Sequence, residues 1–408
     1  MLMRTRAFLF KIFLLAILAF TGQAFAATSE ADSTAAPPSE LQVSLLTCEP
    51  GQEVYEVYGH AGLRIYRPGH SDTDYVLNYG VFDFNTEHFV LRWMLGKTDY
   101  TVEALPYRDF VEWYKVRGRN VHEQPLNLRP DEIERLAAAA LGDAQAAQRD
   151  GWTYRYNFFY NNCVTRPIDL ILNSLDEGSR VEWPEPEPQS LRQMLHQFAA
   201  PVSTWNADLQ DWLLGQEVDG NAPLRSQLFA PIWASRYMAQ ASVVRSDGSR
   251  TPLVGAPAIP YSLAMPDKAH DPVVWTTAVL LALLLLLAVA ELSGRVKHLW
   301  AGIVAVHTVQ GLVGLLIGTL FFFSTHPSVD SNWLLAACNP LWLIAAWYVG
   351  RFHADHRRME GHRLLCLLTF LILIIGQICG QRFPWTAIPL EAFLCVCAIA
   401  PHRYATQN

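Results

Sequence analysis

Cys163 closes the run Phe158-Phe159-Tyr160-Asn161-Asn162-Cys163, and His60 follows Gly59 about a hundred residues earlier. A helix N-terminus favours a thiolate, and so does a neighbouring imidazole. A thiol with both attacks an ester carbonyl and forms an acyl-thioester. The base needs a third polar group to hold its tautomer. Asn78 is the first choice for that role and Asp83 the second. Two inert readings stand beside this one. Cys163 can be a buried core thiol, or it can pair with Cys48 in an oxidising compartment, which would silence it.

The elements that must position these groups are legible nearby. Val43–Leu46 has strand character. His60–Tyr66 alternates and stops at Pro68-Gly69, and Tyr75–Tyr79 resumes, which predicts a hairpin. Arg129-Pro130-Asp131-Glu132 starts a helix, with proline in the first turn and acids at the positive end of the dipole. Beyond Cys163, Val164, Ile168, Ile171, Leu172 and Leu175 repeat on one helical face. Asn162 suits the N-cap, and Pro167 predicts a slight distortion. Trp183–Pro188 is a semi-rigid connector, and Leu191–Phe198 and Leu224–Ala241 have helical patterns.

The chain has 408 residues and a net charge of −7, with no basic stripe, so nucleic acid is excluded as a partner. Residues 1–26 have the basic start, apolar stretch and Ala24-Phe25-Ala26 site of a signal peptide. Residues 27–40 are a polar, flexible linker. An exported domain follows, with a Cys–His region over 41–180 and a helical extension over 181–270. Residues 271–402 form a transmembrane domain of about five helices, with apolar segments at 273–292, 299–323, 333–350, 364–380 and 386–400. The first four are long enough to span a bilayer; the fifth is short and carries Pro389 and Glu391. Positive charge gathers at Arg295 and Lys297, at Arg351–Arg363 and at Arg403, whereas Ser324–Asn332 has none. By the positive-inside rule the first span starts outside, which agrees with export. These signals predict a multi-pass protein of the inner membrane with its Cys–His domain in the periplasm.

Three stretches carry a family resemblance: Leu46-Thr47-Cys48-Glu49-Pro50-Gly51 with Tyr58–Arg64, Leu77–Asn85, and Phe158–Arg166. They resemble the Lnb family of bacterial lipoprotein N-acyltransferases. Weaker matches lie at Gly215–Asp219, Pro252–Val254 and Ser324–Asn332. The order His then Cys is also similar to circularly permuted papain-like enzymes of the lecithin:retinol acyltransferase type, with Asn78 at the place of the histidine's partner. The resemblance implies an α+β, permuted papain-like exported domain followed by an all-α transmembrane bundle. It implies transfer of a fatty acyl chain from a phospholipid or lipid ester to the N-terminal amine of a diacylglyceryl lipoprotein, without a cofactor. The oxyanion would rest on the Cys163 backbone N–H and a second donor, Tyr58 or Asn162. The same dyad serves a phospholipase or a cell-wall cysteine amidase, and a Cys48–Cys163 disulfide would leave a non-catalytic membrane scaffold.

Other polar residues have plainer uses. His326 belongs at headgroup level, where it contacts substrate or caps a helix end. His307, Gln310 and Glu391 lie in spans and suit helix-to-helix hydrogen bonds. Gly311, Gly314 and Gly318 predict close helix contact. For His70, His88 and His122 the sequence alone names no partner, and surface or core positions suit them, while Glu185 and Glu187 suit solvent. No HExxH, CxxC, GxGxxG or Walker spacing occurs, so no metal is expected.

Overall fold

The computed structural model describes residues 41–53, 55–255, 272–292 and 299–399. The expected signal peptide and linker lie outside them, as do Arg295, Lys297 and Arg403. The first described element is β1 (Gln42–Cys48), followed by the hairpin of β2 (His60–Arg67) and β3 (His70–Val81), turned at Gly69 with φ +81°. Helix α1 (Phe89–Met94), β4 (Asp99–Pro106), α2 (Tyr107–Lys115), β5 (Val121–Pro125), α3 (Pro130–Asp150), β6 (Tyr154–Arg155) and α4 (Thr165–Asn173) complete this part. The strands form one antiparallel sheet in the order β5-β1-β2-β3-β4-β6.

Both faces of this sheet are covered, which explains why β1 is buried from Val43 to Cys48. Successive side chains point to opposite faces. Val43 and Leu45 join Ala61, Leu63, Leu77 and Tyr79 against α3 and α4, through Ile133, Leu136 and Ile168. Leu46 and Cys48 face the other way, with Val76, against Phe110 and Tyr114 of α2.

Pro167 does not distort α4. It is the third residue of the helix, where a backbone N–H has no intrahelical acceptor to lose. The helix stops at Asn173, short of Leu175. Beyond it the chain is not purely helical. Strand β7 (Arg180–Glu182) precedes α5 (Leu191–Val202), α6 (Thr204–Leu213), a 3-10 turn at Gln216–Asp219, α7 (Leu224–Gln227) and α8 (Pro231–Gln240). Strands β8 (Ser242–Val244) and β9 (Arg250–Pro252) then pair with β7 in a second, three-stranded sheet. The helix expected over Leu224–Ala241 is broken before Pro231, which lacks the N–H to continue it and starts α8 instead. Leu228, Tyr237, Met238, Val243 and Leu253 pack into the same core as Leu45 and Leu63.

The C-terminal part comprises α9 (Pro272–Leu292), α10 (Leu299–Phe323), α11 (Leu334–Ala337), α12 (Trp342–Phe352), α13 (His356–Ile378) and α14 (Ile388–Ile399). Among the described residues, Trp300–Phe323 and Arg357–Ile378 are long and apolar enough to cross a membrane. The third apolar segment is not one span. Pro340 ends its regularity, and Asn339 caps both pieces, donating to the Leu335 and Ala336 carbonyls and accepting from the Leu341 N–H. The 11 residues of α12 rise about 16 Å, roughly half a hydrocarbon core. The glycines of α10 admit this broken segment. A Cβ on Gly311 would lie 2.5 Å from Leu343, and one on Gly314 2.4 Å from Asn339; Gly318 has only ordinary contacts.

Candidate active site

His60 opens β2, and Asn78 sits near the end of β3. The antiparallel register places Leu63 opposite Leu77, so the start of β2 lies alongside the end of β3. His60 Nε2 and Asn78 Oδ1 are 2.6 Å apart. An amide oxygen only accepts, so Nε2 carries the hydrogen and Nδ1 is left for another partner. Cys163 lies beside the imidazole and interacts with it by charge and side-chain hydrogen bonding. Gly80 shows how tightly the pair is framed. At φ +95° it turns the chain past the site, and a Cβ there would lie 3.2 Å from Cys163 Cβ and 3.8 Å from His60 Cε1.

Asn162 explains the position of the thiol. Its Oδ1 accepts from the N–H groups of Val164 and Thr165, while its amide donates to the Phe158 and Phe229 carbonyls. The side chain therefore holds the turn that leads into α4, whose N-cap position is Val164, and pins the preceding loop, which leaves Cys163 half-buried just before the helix. Both amide hydrogens are used, so Asn162 has none for an oxyanion. Tyr58 is committed as well: its hydroxyl donates to Gln210 Oε1 at 2.8 Å. Asp83 accepts from Asn85 and is exposed, so Asn78 alone of the two candidates meets His60. Cys48 is buried and Cys163 half-buried, and neither forms a disulfide.

The electrostatics favour an ion pair. Burial pushes the Cys163 thiol up, but the His60 charge, the imidazole hydrogen bond and the N–H groups of Ala61 and Cys163 outweigh it and leave the pKa below the ordinary value. Burial pushes His60 down, yet the Cys163 charge and the hydrogen bonds from Cys163 and Asn78 raise it, against the Arg119 charge. A thiolate beside an imidazolium is the state that attacks carbonyl carbon. Cys48 differs: burial carries its thiol far above the usual range.

Several contributors were not visible as such in the sequence. Gly80, the Ala61 N–H and Arg119 surround the pair. Tyr100, Tyr154 and Tyr156 lie near the sulfur, their phenols raised by burial and then by the Cys163 charge. Tyr156 stacks on Tyr100 at 4.1 Å, Tyr100 on Phe82 at 4.9 Å, and Phe82 on Phe89 at 5.2 Å. This aromatic track runs out from the thiol to α1, where Phe84, Val90, Leu91 and Trp93 are exposed. The corner after α1 meets the loop that follows α10. Ser324 and Thr325 bond the Met94 and Leu95 carbonyls, and His326 Nε2 bonds the Trp93 carbonyl at 3.1 Å. His326 thus ties this loop to α1, and burial lowers its pKa.

These features define a class: an α+β domain with an accessible thiol–imidazole pair, joined to a bundle of apolar helices. Residues 27–197 match the family model described as the Lnb N-terminal periplasmic domain, and residues 267–408 match the Lnb transmembrane domain. The chain belongs to the Lnb family. It is a membrane protein with a periplasmic N-terminal domain, and the family points to an enzyme that modifies lipoproteins. No curated protein and no solved structure matches it significantly.

Proposed function

We infer that the protein moves a fatty acyl chain from a phospholipid to the N-terminal amine of a diacylglyceryl lipoprotein, through a thioester on Cys163. The observation that carries this reading is the aromatic track joining a polarised thiol to an exposed apolar helix beside the end of α10. An apolar helix at that level meets the outer leaflet, where both lipid substrates reside.

In the first half, the thiolate attacks the ester carbonyl of the donor. The tetrahedral oxyanion is taken by the Cys163 N–H, with the Ala61 N–H as second donor, since both already face the sulfur. The ester C–O bond breaks, and the lysolipid oxygen leaves with the His60 proton. In the second half, the lipoprotein amine attacks the thioester, His60 takes a proton from nitrogen, and the C–S bond breaks to restore the thiolate. Asn78 keeps the imidazole in one tautomer throughout. We read His60, Asn78 and Cys163 as a permuted papain-like site, a reading supported by the His60–Asn78 contact. The chain crosses the inner membrane several times with this domain in the periplasm.

The test is complementation of cells depleted of their own lipoprotein N-acyltransferase, read by mass spectrometry of lipoprotein N-terminal peptides. Triacylated peptides are expected with the wild type and not with Cys163→Ala. Equal triacylation with both variants refutes the mechanism. Lysolipid and free fatty acid without triacylated peptide would make the protein a phospholipase.

A further inference from the structure

The helical bundle brings together three side chains that their sequence positions did not connect. His362 and Cys366 lie one turn apart on α13 and share a face. His307 approaches them from α10. His307 Nε2 is 2.8 Å from His362 Nε2, and Cys366 Sγ is 3.5 Å from the same nitrogen. All three ligand atoms lie within 4.8 Å of one another, and all three residues are buried.

Gln310 fixes the orientation of His307. Its amide nitrogen donates to the Ala337 carbonyl at 2.8 Å, which turns Oε1 toward His307 Nδ1 at 2.5 Å. That oxygen can only accept, so Nδ1 holds the hydrogen and Nε2 presents its lone pair to the cluster. Metal-bound imidazoles are held this way, with the second nitrogen donating to a carbonyl or carboxylate oxygen. The Trp342 ring stacks on His307 at 4.6 Å and Phe393 meets it edge-on at 5.6 Å, closing the site to water. Cys397 of α14, also buried, hydrogen-bonds the Cys366 thiol.

We propose that His307, His362 and Cys366 bind a zinc-class transition-metal ion, and that Cys397, which stands outside this group but bonds Cys366, moves in as fourth ligand. Zinc–nitrogen and zinc–sulfur bonds of about 2.0–2.1 and 2.3 Å at tetrahedral angles separate nitrogen from sulfur by about 3.5 Å and nitrogen from nitrogen by about 3.3 Å. The observed sulfur–nitrogen separation already fits, and the imidazoles need only part by about half an ångström. Imidazole with thiolate selects zinc over magnesium or calcium. Four protein ligands behind aromatic walls leave no open position, so the ion is structural: it fastens α10, α13 and α14. Binding releases the thiol protons. The site lies in the first half of α10 and of α13, away from the loop that follows α10 and meets α1, and is separate from the Cys163 site.

The experiment measures metal in the full chain purified in detergent from zinc-supplemented cells. About one zinc per chain is expected, retained in Cys163→Ala and reduced at least tenfold in Cys366→Ser and His362→Ala. Gln310→Ala should weaken zinc about 10- to 100-fold. Cobalt exchange into the wild type should give thiolate-to-cobalt charge-transfer absorption, a readout independent of how well the variants fold. A wild type with no more metal than Cys366→Ser, zinc lost from Cys163→Ala, or a cobalt form without that absorption overturns the proposal.

Discussion

Truncating Asn78 to alanine removes the acceptor of the His60 Nε2–H, a bond of 2.6 Å. A hydrogen bond to a charged group contributes about 1.5–3 kcal/mol, and this one favours imidazolium over imidazole. The sign follows from the causes of the His60 shift. Burial lowers its pKa, and Cys163 and Asn78 raise it. Without Asn78 the imidazolium is less populated, and the Cys163 thiolate loses part of its counter-charge. The thiol pKa, held below its ordinary value in the intact site, then rises. The assay is the rate of Cys163 alkylation by iodoacetamide against pH, followed by peptide mass spectrometry because the exposed Cys379 also reacts. The acid limb should move to higher pH, and the rate near neutrality should fall about tenfold for each 1.4 kcal/mol lost. The plateau at high pH should hold, since the same sulfur is exposed to the same extent. Superimposed profiles for wild type and Asn78→Ala would refute the ion-pair reasoning. A lower plateau with an unmoved midpoint would assign Asn78 to access and not to charge.

Gly80→Ala should reduce Cys163 alkylation while leaving helical content by circular dichroism unchanged. The new methyl sits 3.2 Å from Cys163 Cβ, and the positive φ adds about 1–2 kcal/mol of strain. Arg245→Ala should destabilise the domain by about 3–5 kcal/mol, because it strands the Glu132 carboxylate inside the core. Chemical denaturation of the full chain measures this. Replacing both partners, with Arg245→Met and Glu132→Leu, should recover most of the loss, and a single-variant change below about 1 kcal/mol would contradict the buried-pair account.

The hairpin, α3 and the helix that follows Cys163 were legible because each rests on local chemistry. Pro68-Gly69 turns, and Pro130 with two acids starts a helix, whereas the cap position of α4 falls at Val164 and not at Asn162. The second sheet was not legible, since three-residue strands carry too little alternation to register. The break at Pro340 was hidden inside a run whose hydropathy alone suited a span. Asn162 as an oxyanion donor failed because a sequence shows that a side chain can donate, and not whether its hydrogens are already taken. The helix-to-helix hydrogen bond expected of His307 is present, but its partner His362 sits about fifty residues away, a distance that spacing rules do not bridge.

The extension over α5 and α6 gives the five-segment bundle a purpose beyond anchorage. Arg192, buried, holds Asp211 at 2.8 Å and Asp219 at 2.7 Å and also donates to the Leu214 and Gly215 carbonyls. This rigid knot carries Trp212, which bonds Thr386 before α14, and Gln216, which accepts from the Trp333 indole. Asn332 returns a bond to the Trp212 carbonyl, and Gly215 meets the Ser328 carbonyl. The domain is therefore tied to the bundle twice, once here and once where Ser324–His326 grips the corner of α1. A single tie would let the domain pivot; two separated ties fix the height and tilt of the thiol over the helices. An enzyme drawing one substrate from a bilayer gains most from that constraint. Under the acyl transfer proposed above, the acyl chain enters along one route, from the exposed face of α1 past Phe82 and Tyr100 to Cys163, and the fold sets the distance it must leave the hydrocarbon.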